Sequence, residues 1–397
     1  MKILFVLGFP NPFPGAGWTR IGFFAEDWSK KGHAVEVLGT FSYKAFHKRG
    51  AKKLNNINIF NLTFNMGLTH PLIFILNTLI SFAVSTLTLL SRKPNAAIVS
   101  VPTGDVGVGA LMACRLTKTK CIVDYRDEWE DYVISLTDSN TEKFLYSVLK
   151  KLSASIYAKS QIVTAVTPNW VDSLKSRGVA NVRLVPNGAD VTVFKQYDKN
   201  IIRRKLGLGN NDFIIVYSGG IGGYYKLDNV IGALTKLPRQ TKNVKLLMIG
   251  DGPDVPRVLT LSKNLGLHEN VLYLGVKNDK KEIAEILSAG DVGIIPGLYT
   301  KGQLPVKLFE YSACELPIVA TVHPDSMLTK LIKEYAIGIT APPMDEEKLA
   351  EAIYYIYENE SFREAAGKRA RLLIEEKFDR SKISEEFLNL VKEIAQL

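Results

Sequence analysis

The sequence predicts an α/β protein made of two Rossmann-like, doubly wound parallel-sheet domains that face one another across a cleft. Three observations carry that expectation. Short β-rich runs alternate with longer helical patterns from the first residues onward, the alternation restarts after a junction near Pro186–Asn200, and the tail from Asp345 to Leu397 reads as helical throughout. Alternation of this kind implies parallel strands joined by crossover helices, and 397 residues suffice for two domains that each bury a core.

In the first half, the expected strands are Lys2–Gly8, Ala34–Gly39, Ile57–Asn61, Ala96–Ser100, Lys120–Asp124, Gln161–Ala165 and Arg183–Pro186. In the second they are Asp212–Ser218, Val244–Gly250, Val271–Gly275, Asp291–Pro296, Ile318–Thr321 and Gly338–Thr340, with helices at Asp228–Lys236, Lys280–Ser288 and Pro305–Cys314 between them. The expected domains are residues 1–190 and 191–379. A C-terminal helix, 380–397, is expected to pack back on the first unit. Two doubly wound sheets make the crevice between them a natural ligand site.

Composition excludes several classes. Hydrophobic residues make up 46% and charged residues 23%, as in ordinary globular chains. The net charge of +10 favours an anionic partner, but neither zinc-ligand spacing nor an aromatic RNA-binding motif accompanies it, so nucleic acid is not expected. Cys114, Cys121 and Cys314 are scattered and odd in number, which reads as reduced, cytosolic thiols. The 5 histidines show no metal spacing, and no metal or cofactor is expected. The apolar run after Lys2 is short and leads into Gly8-Phe9-Pro10-Asn11-Pro12, so a buried first strand is the better reading than a signal peptide.

Pro71–Leu90 breaks the pattern with twenty residues and no charge. Length alone permits a membrane span. A span would carry Ala96–Ser100 across a bilayer from the sheet it has to rejoin, and the run also contains Asn77, Thr78, Ser81, Ser85, Thr86 and Thr88. A buried crossover helix, a helix seated in an anionic membrane interface through residues 71–93, with Arg92 and Lys93 at headgroup level, and a true span all remain open.

The segment Leu304–Thr321 (LPVKLFEYSACELPIVAT) concentrates the chemistry. Leu304 and Pro305 open a helix, and Lys307 and Glu310, three apart, share one face. A helix N-terminus offers free N–H groups to phosphate oxygens, Lys307 adds a charge there, and Glu310 can accept hydrogen bonds from a ribose diol. An isolated pair of this kind would more simply be a surface ion pair. Further candidates are the glycine turn Gly219, Gly220, Gly222 and Gly223 after a strand, with Lys226 beyond it, and the loop Pro10–Gly17 with Gly15 and Gly17. Arg20 is a candidate phosphate contact or a solvated helix charge. Asp127, in Arg126-Asp127-Glu128-Trp129 at a strand end, is either a catalytic acid–base group or part of a structural ion network. His33, at a helix-to-strand corner, reads as structural.

LPVKLFEYSACELPIVAT resembles the signature of the family 4 retaining glycosyltransferases, which have the GT-B fold. That signature runs Glu-x7-Glu followed by a small-residue helix and G-x-P-V-V-A-T. The second Glu falls on Glu310, while Gly302 stands where the first belongs. The run L-P-x-K-x-x-E is similar to that of a fucosamine-transferase-like subgroup. Val185-Pro186-Asn187-Gly188-Ala189-Asp190, Ile249-Gly250-Asp251-Gly252-Pro253, Asn270-Val271 with Leu274-Gly275, and Asp291 to Pro296 resemble further family motifs in the same order. The resemblance implies a retaining, metal-independent transferase acting in surface polysaccharide or glycoconjugate synthesis. Its donor is a nucleoside diphosphate sugar, UDP-sugar favoured, and its acceptor a glycan or lipid-linked glycan. Donor contacts would come from Gly15, Gly17, Gly219, Gly220, Gly222, Gly223, Lys226, Leu304, Pro305, Lys307 and Glu310, with Gly275 and Val276 framing the base. A cytoplasmic location, peripheral on the inner membrane face, follows as an expectation. A non-catalytic nucleotide-sugar binder and a nucleotide-sugar epimerase on the same fold remain the alternatives.

Overall fold

The computed structural model describes residues 1–8, 16–67, 70–239, 241, 243–298 and 300–396. The chain divides into two compact units, Met1–Pro186 with Ser381–Leu397, and Asn187–Arg380.

In unit 1 the elements run β1 (Lys2–Leu7), α1 (Ala16–Lys30), β2 (Ala34–Phe41), β3 (Gly50–Leu54), β4 (Ile57–Phe64), α2 (Pro71–Arg92), β5 (Ala96–Val101), α3 (Gly104–Leu116), β6 (Cys121–Tyr125), α4 (Trp129–Leu136), α5 (Asn140–Tyr157), β7 (Ile162–Ala165), α6 (Pro168–Ser176) and β8 (Val182–Leu184). One eight-stranded sheet results, ordered β3-β4-β2-β1-β5-β6-β7-β8 and parallel except for β3 against β4. Strands such as β5, buried at every position, read as unbroken apolar runs because both faces of the sheet are covered. β3 was not expected. Its sequence, GAKKL, is an edge strand with Lys52 and Lys53 exposed, a composition that blocks further pairing while hiding the strand from a search for apolar runs.

The two faces of this sheet hold separate cores. Phe24 and Trp28 of α1 meet Phe387 of the last helix on one face, with ring centroids 5.3 and 5.5 Å apart, and the Trp28 indole donates to Ser384 Oγ at 2.9 Å. α2, α3, α5 and α6 cover the other.

α2 returns the chain from β4 to β5 in the same sheet, which removes the spanning reading. It is not a simple buried crossover helix either. Its inward stripe carries Asn77, Ser81, Ser85 and Thr88 alongside Phe74 and Leu89, while Leu72, Leu76, Leu79 and Leu87 stand exposed. The small inward residues let α3 come very close: a Cβ on Gly109 would lie 2.4 Å from the Thr78 carbonyl oxygen. Asn77 Nδ2 donates to Asp105 Oδ2 at 2.7 Å, and Ser81 Oγ donates to the Val106 carbonyl at 2.7 Å.

Unit 2 runs α7 (Lys199–Lys205), β9 (Phe213–Gly220), α8 (Leu227–Thr235), β10 (Val244–Asp251), α9 (Val255–Asn264), β11 (Val271–Tyr273), α10 (Lys280–Ser288), β12 (Val292–Ile295), α11 (Val306–Ala313), β13 (Ile318–Thr321), α12 (Met327–Glu334), β14 (Gly338–Ala341), α13 (Glu346–Glu358) and α14 (Glu360–Lys377). The final helix, α15 (Arg380–Gln396), carries the chain into unit 1 from Ser381 onward. The six strands are parallel in the order β11-β10-β9-β12-β13-β14. The winding reverses between β9 and β12, so the crevice beyond the carboxyl ends of these two strands is where a doubly wound sheet binds ligands.

Candidate functional site

The residues that follow β9 and β12 are those the sequence singles out. β9 stays extended through Gly219 and Gly220, and the turn to α8 follows. Gly219 has φ +137°, and so does Gly250 at the end of β10. A Cβ on Gly250 would sit 1.8 Å from the Gly219 carbonyl oxygen, so the two strand ends touch backbone to backbone. Gly250 N–H also donates to the Gly275 carbonyl at 2.9 Å, which ties the loop after β11 to this turn and leaves Val276 exposed beside it.

Lys307 enters the same place from α11. Its side chain is buried, and Nζ makes no hydrogen bond. The ammonium instead lies 4.1 Å from the Tyr217 ring centroid and 4.5 Å from that of Tyr225. A Cβ on Gly219 would stand 3.4 Å from Nζ, and one on Gly220 would run into the Tyr225 ring at 2.8 Å. The glycines therefore make room for a cation flanked by two aromatic faces. Burial pushes the Lys307 ammonium down to about 7.

No salt bridge joins Lys307 to Glu310, so the surface-pair reading does not hold. Glu310 is half-buried, and burial raises its carboxyl above the usual range against the opposing pull of Arg380, Lys280 and Lys307. α11 starts one residue later than expected: Pro305 is its N-cap, with φ −69° and ψ 145°, and Leu304 packs in the core at 7% exposure.

The loop between β12 and α11 is fastened to the glycine turn. Leu298 N–H donates to the Tyr224 carbonyl at 3.1 Å, and the Tyr224 hydroxyl donates to Gln303 Oε1 at 2.8 Å. Gly302, in the position of the expected first Glu, is buried within this loop. Lys226 adopts a left-handed conformation, φ +49°, as the N-cap of α8, and Gly222 and Gly223 lie beside Pro253 and Asp254. Tyr217, Tyr224, Tyr225 and Gln303 were not singled out from the sequence. Three tyrosines within nine residues of a glycine turn were the signal available.

In unit 1, Gly15 lies outside the described residues, as does most of the Pro10–Gly17 loop, while Gly17 falls in the first turn of α1. Arg20 is not a solvated charge. It is buried, its Nε and Nη2 donate to the two Asp124 oxygens at 3.2 and 3.0 Å, and further donations reach the Val185 and Pro186 carbonyls. Asp127 is half-buried in the loop between β6 and α4. Its neighbour Arg126 is pushed down to about 10 by burial, with Asp124 and Asp127 opposing that shift and Arg20 reinforcing it. Glu128 takes no part in a three-residue ion network; it accepts from the Ser173 hydroxyl. Below the loop, Glu130 is buried and accepts from the Tyr125 hydroxyl at 2.9 Å and from Arg177 at 3.1 Å, which holds the start of α4 in place.

A groove of unit 2, about 580 Å³, lies by Phe213, Gly290, Asp291 and Pro317, at the starts of the strands and away from the switch point. The Arg203–Asp291 ion pair, at 2.6 Å, forms part of its wall.

Residues 198–373 match the family model described as glycosyl transferases group 1. N-acetyl-alpha-D-glucosaminyl L-malate synthase of Bacillus anthracis is 25% identical over 231 residues, 58% of each chain. Alpha-D-kanosaminyltransferase of Streptomyces kanamyceticus is 25% identical over 193 residues, 49% of this chain and 48% of that one. The chain thus spans roughly half the length of the curated relatives it matches. The crystal structure of HepE of Anabaena in complex with UDP superposes with a TM-score of 0.75 at 17% identity, covering 99% of this chain and 100% of HepE.

Proposed function

We propose, for a chain whose second unit carries a glycosyl transferases group 1 domain and whose two parallel-sheet units have the GT-B fold, that it transfers a sugar from a nucleoside diphosphate donor to a glycan or lipid-linked acceptor in glycoconjugate synthesis. The observation that carries the proposal is Lys307. A buried ammonium without a hydrogen-bond partner is costly, and here it stands at a helix N-terminus, against a glycine turn, at the switch point of a doubly wound sheet. A diphosphate supplies the missing counter-charge. HepE, a structural neighbour, has been crystallised with UDP and with UDP-glucose, which makes a UDP-sugar the favoured donor.

In this reading the bond from the anomeric carbon to the diphosphate breaks, and a bond to the acceptor oxygen forms on the same face. The transition state is oxocarbenium-like, with negative charge gathering on the leaving diphosphate. Lys307, Lys226, the amides of the Gly219–Gly223 turn and the N-terminus of α11 stabilise that charge, while Glu310 holds the ribose diol. Gly275 and Val276 frame the base. Asp127 of unit 1 orients the acceptor hydroxyl or takes its proton. The charge on the leaving group is met by these groups without a metal, so turnover should survive EDTA; loss of turnover restored by Mg²⁺ or Mn²⁺ would remove that part of the proposal. The subgroup likeness of L-P-x-K-x-x-E and a cytoplasmic site of action at the inner membrane face belong to the same proposal.

The test is a thermal-shift screen of UDP, GDP, ADP and their sugars, followed by donor hydrolysis without acceptor. A melting shift with one nucleotide series and slow release of free sugar support a transferase. A shift without hydrolysis leaves a nucleotide-sugar binder, and a stereoisomeric nucleotide sugar as product marks an epimerase.

A further inference from the structure

α2 is amphipathic in the wrong sense for a soluble crossover helix. Its polar residues face the protein and its leucines face out, with Leu72 70%, Leu79 56% and Leu87 69% exposed. The interhelical hydrogen bonds of Asn77 and Ser81 and the close backbone approach at Gly109 explain why the inward stripe is polar and small, and they leave the outward apolar stripe without any role in the fold.

The stripe does not stand alone. α2 and α3 pack along most of their length, and α5 packs against both. All three contribute to one core on one face of the unit 1 sheet, so their outer sides form one surface. Leu116 of α3, with Phe144 and Leu152 of α5, extends it. About half of the exposed large hydrophobic side chains among the described residues belong to these three helices. Exposed apolar side chains concentrated on neighbouring helices mark an interaction surface.

Charge identifies the occupant. Arg92 and Lys93 close α2, Arg115 and Lys118 lie at the end of α3, and Lys143 and Lys151 lie on α5, while the twenty residues of Pro71–Leu90 carry no charge at all. Asp131 is paired with Lys150 at 2.6 Å and Arg92 with Glu36 at 3.6 Å, so the rim's unpaired excess comes from Lys93, Arg115, Lys118, Lys143 and Lys151 against the single charge of Glu142. Leucines in the middle and cations at the edge match an anionic lipid surface, with tails meeting the leucines and headgroups meeting the cations. In a two-fold contact between copies, the same cations would be brought toward one another.

We propose that the α2–α3–α5 face of unit 1 is a docking surface for anionic membrane, inserted by its leucines and held by its basic rim. This deepens the reading of a lipid-linked acceptor, yet its test uses no nucleotide or acceptor, so the two can fail separately.

The experiment is co-sedimentation with vesicles of phosphatidylcholine containing about a third phosphatidylglycerol, and with phosphatidylcholine alone. The full chain should bind the anionic vesicles, less so at high salt. The pair Leu76→Glu and Leu79→Glu should weaken binding at least about tenfold at an unchanged melting temperature, because both positions are exposed. A fluorophore attached at Leu79→Cys should shift to the blue on adding the vesicles. Two results would overturn the proposal. One is binding in which the label at position 79 keeps its aqueous spectrum. The other is a dimer in sedimentation velocity that the glutamate pair converts to monomer, with no vesicle binding by the unaltered chain.

Discussion

Donor binding should take up a proton at Lys307. Burial between Tyr217 and Tyr225 holds the free ammonium at about 7, against an ordinary value of 10.5. A nucleoside diphosphate sugar has no phosphate proton to lose between pH 7 and 9. Oxygens seated at Nζ would return the bound lysine toward its ordinary value. Half of the free lysine is charged at pH 7 and about one part in a hundred at pH 9, so affinity should fall about 50-fold over that interval, roughly 2.3 kcal/mol. Below pH 7 the curve should flatten. Calorimetry at pH 8.5 in two buffers of different ionisation enthalpy should report nearly one proton taken up. Lys307→Met should bind weakly and without this slope. The same shift acts on the free protein with a definite sign. The unfolded chain holds the Lys307 proton up to the ordinary range while the folded chain loses it near 7, so folding stability should rise with pH between those limits, and the Met variant should lack that rise. Equal pH slopes for donor binding by the two proteins, with no buffer-dependent heat, would refute the reasoning.

The remaining expectations follow from single contacts. Glu310→Ala should weaken donor binding by about 2 kcal/mol in calorimetry, as expected for hydrogen bonds to a charged acceptor, and a 2′-deoxyribose analogue should lose affinity for the unaltered protein but not for the variant. Arg20→Met strands the buried Asp124 carboxylate and should cost about 3–5 kcal/mol in urea unfolding, while nucleotide binding by the folded fraction stays unchanged. Gly250→Ala places a methyl 1.8 Å from the Gly219 carbonyl oxygen; it should lower both melting temperature and nucleotide affinity, and normal values of both would show that the two strand ends do not touch.

How much of this was legible in the sequence depended on the range over which each feature is decided. Parallel strands covered on both faces, such as Ile318–Thr321 and Ala96–Val101, betray themselves by local composition, and the alternation with helices then fixes the winding. β3 escaped because an edge strand satisfies a different requirement, that of repelling further strands, and its lysines meet it. At the site, the spacing of Lys307 and Glu310 was visible but its consequence was not. The environment of Lys307 is supplied by Tyr217 and Tyr225, some eighty or ninety residues earlier and brought in only where β9 and β12 lie side by side. Arg20 escaped for the same reason, since its partner Asp124 is 104 residues away.

α2 shows the opposite failure. Its composition was read correctly as twenty uncharged residues, but composition assigns no direction to a helix. Orientation was settled by Gly109 and Asp105 on α3, which accept only small or hydrogen-bonding partners and so turn Asn77 and Ser81 inward. The leucines face out because the polar residues had somewhere better to go. A helix uncharged on its exposed side, with cations at its margin, is what the proposed docking on an anionic membrane requires, and the vesicle experiment decides whether that is its role.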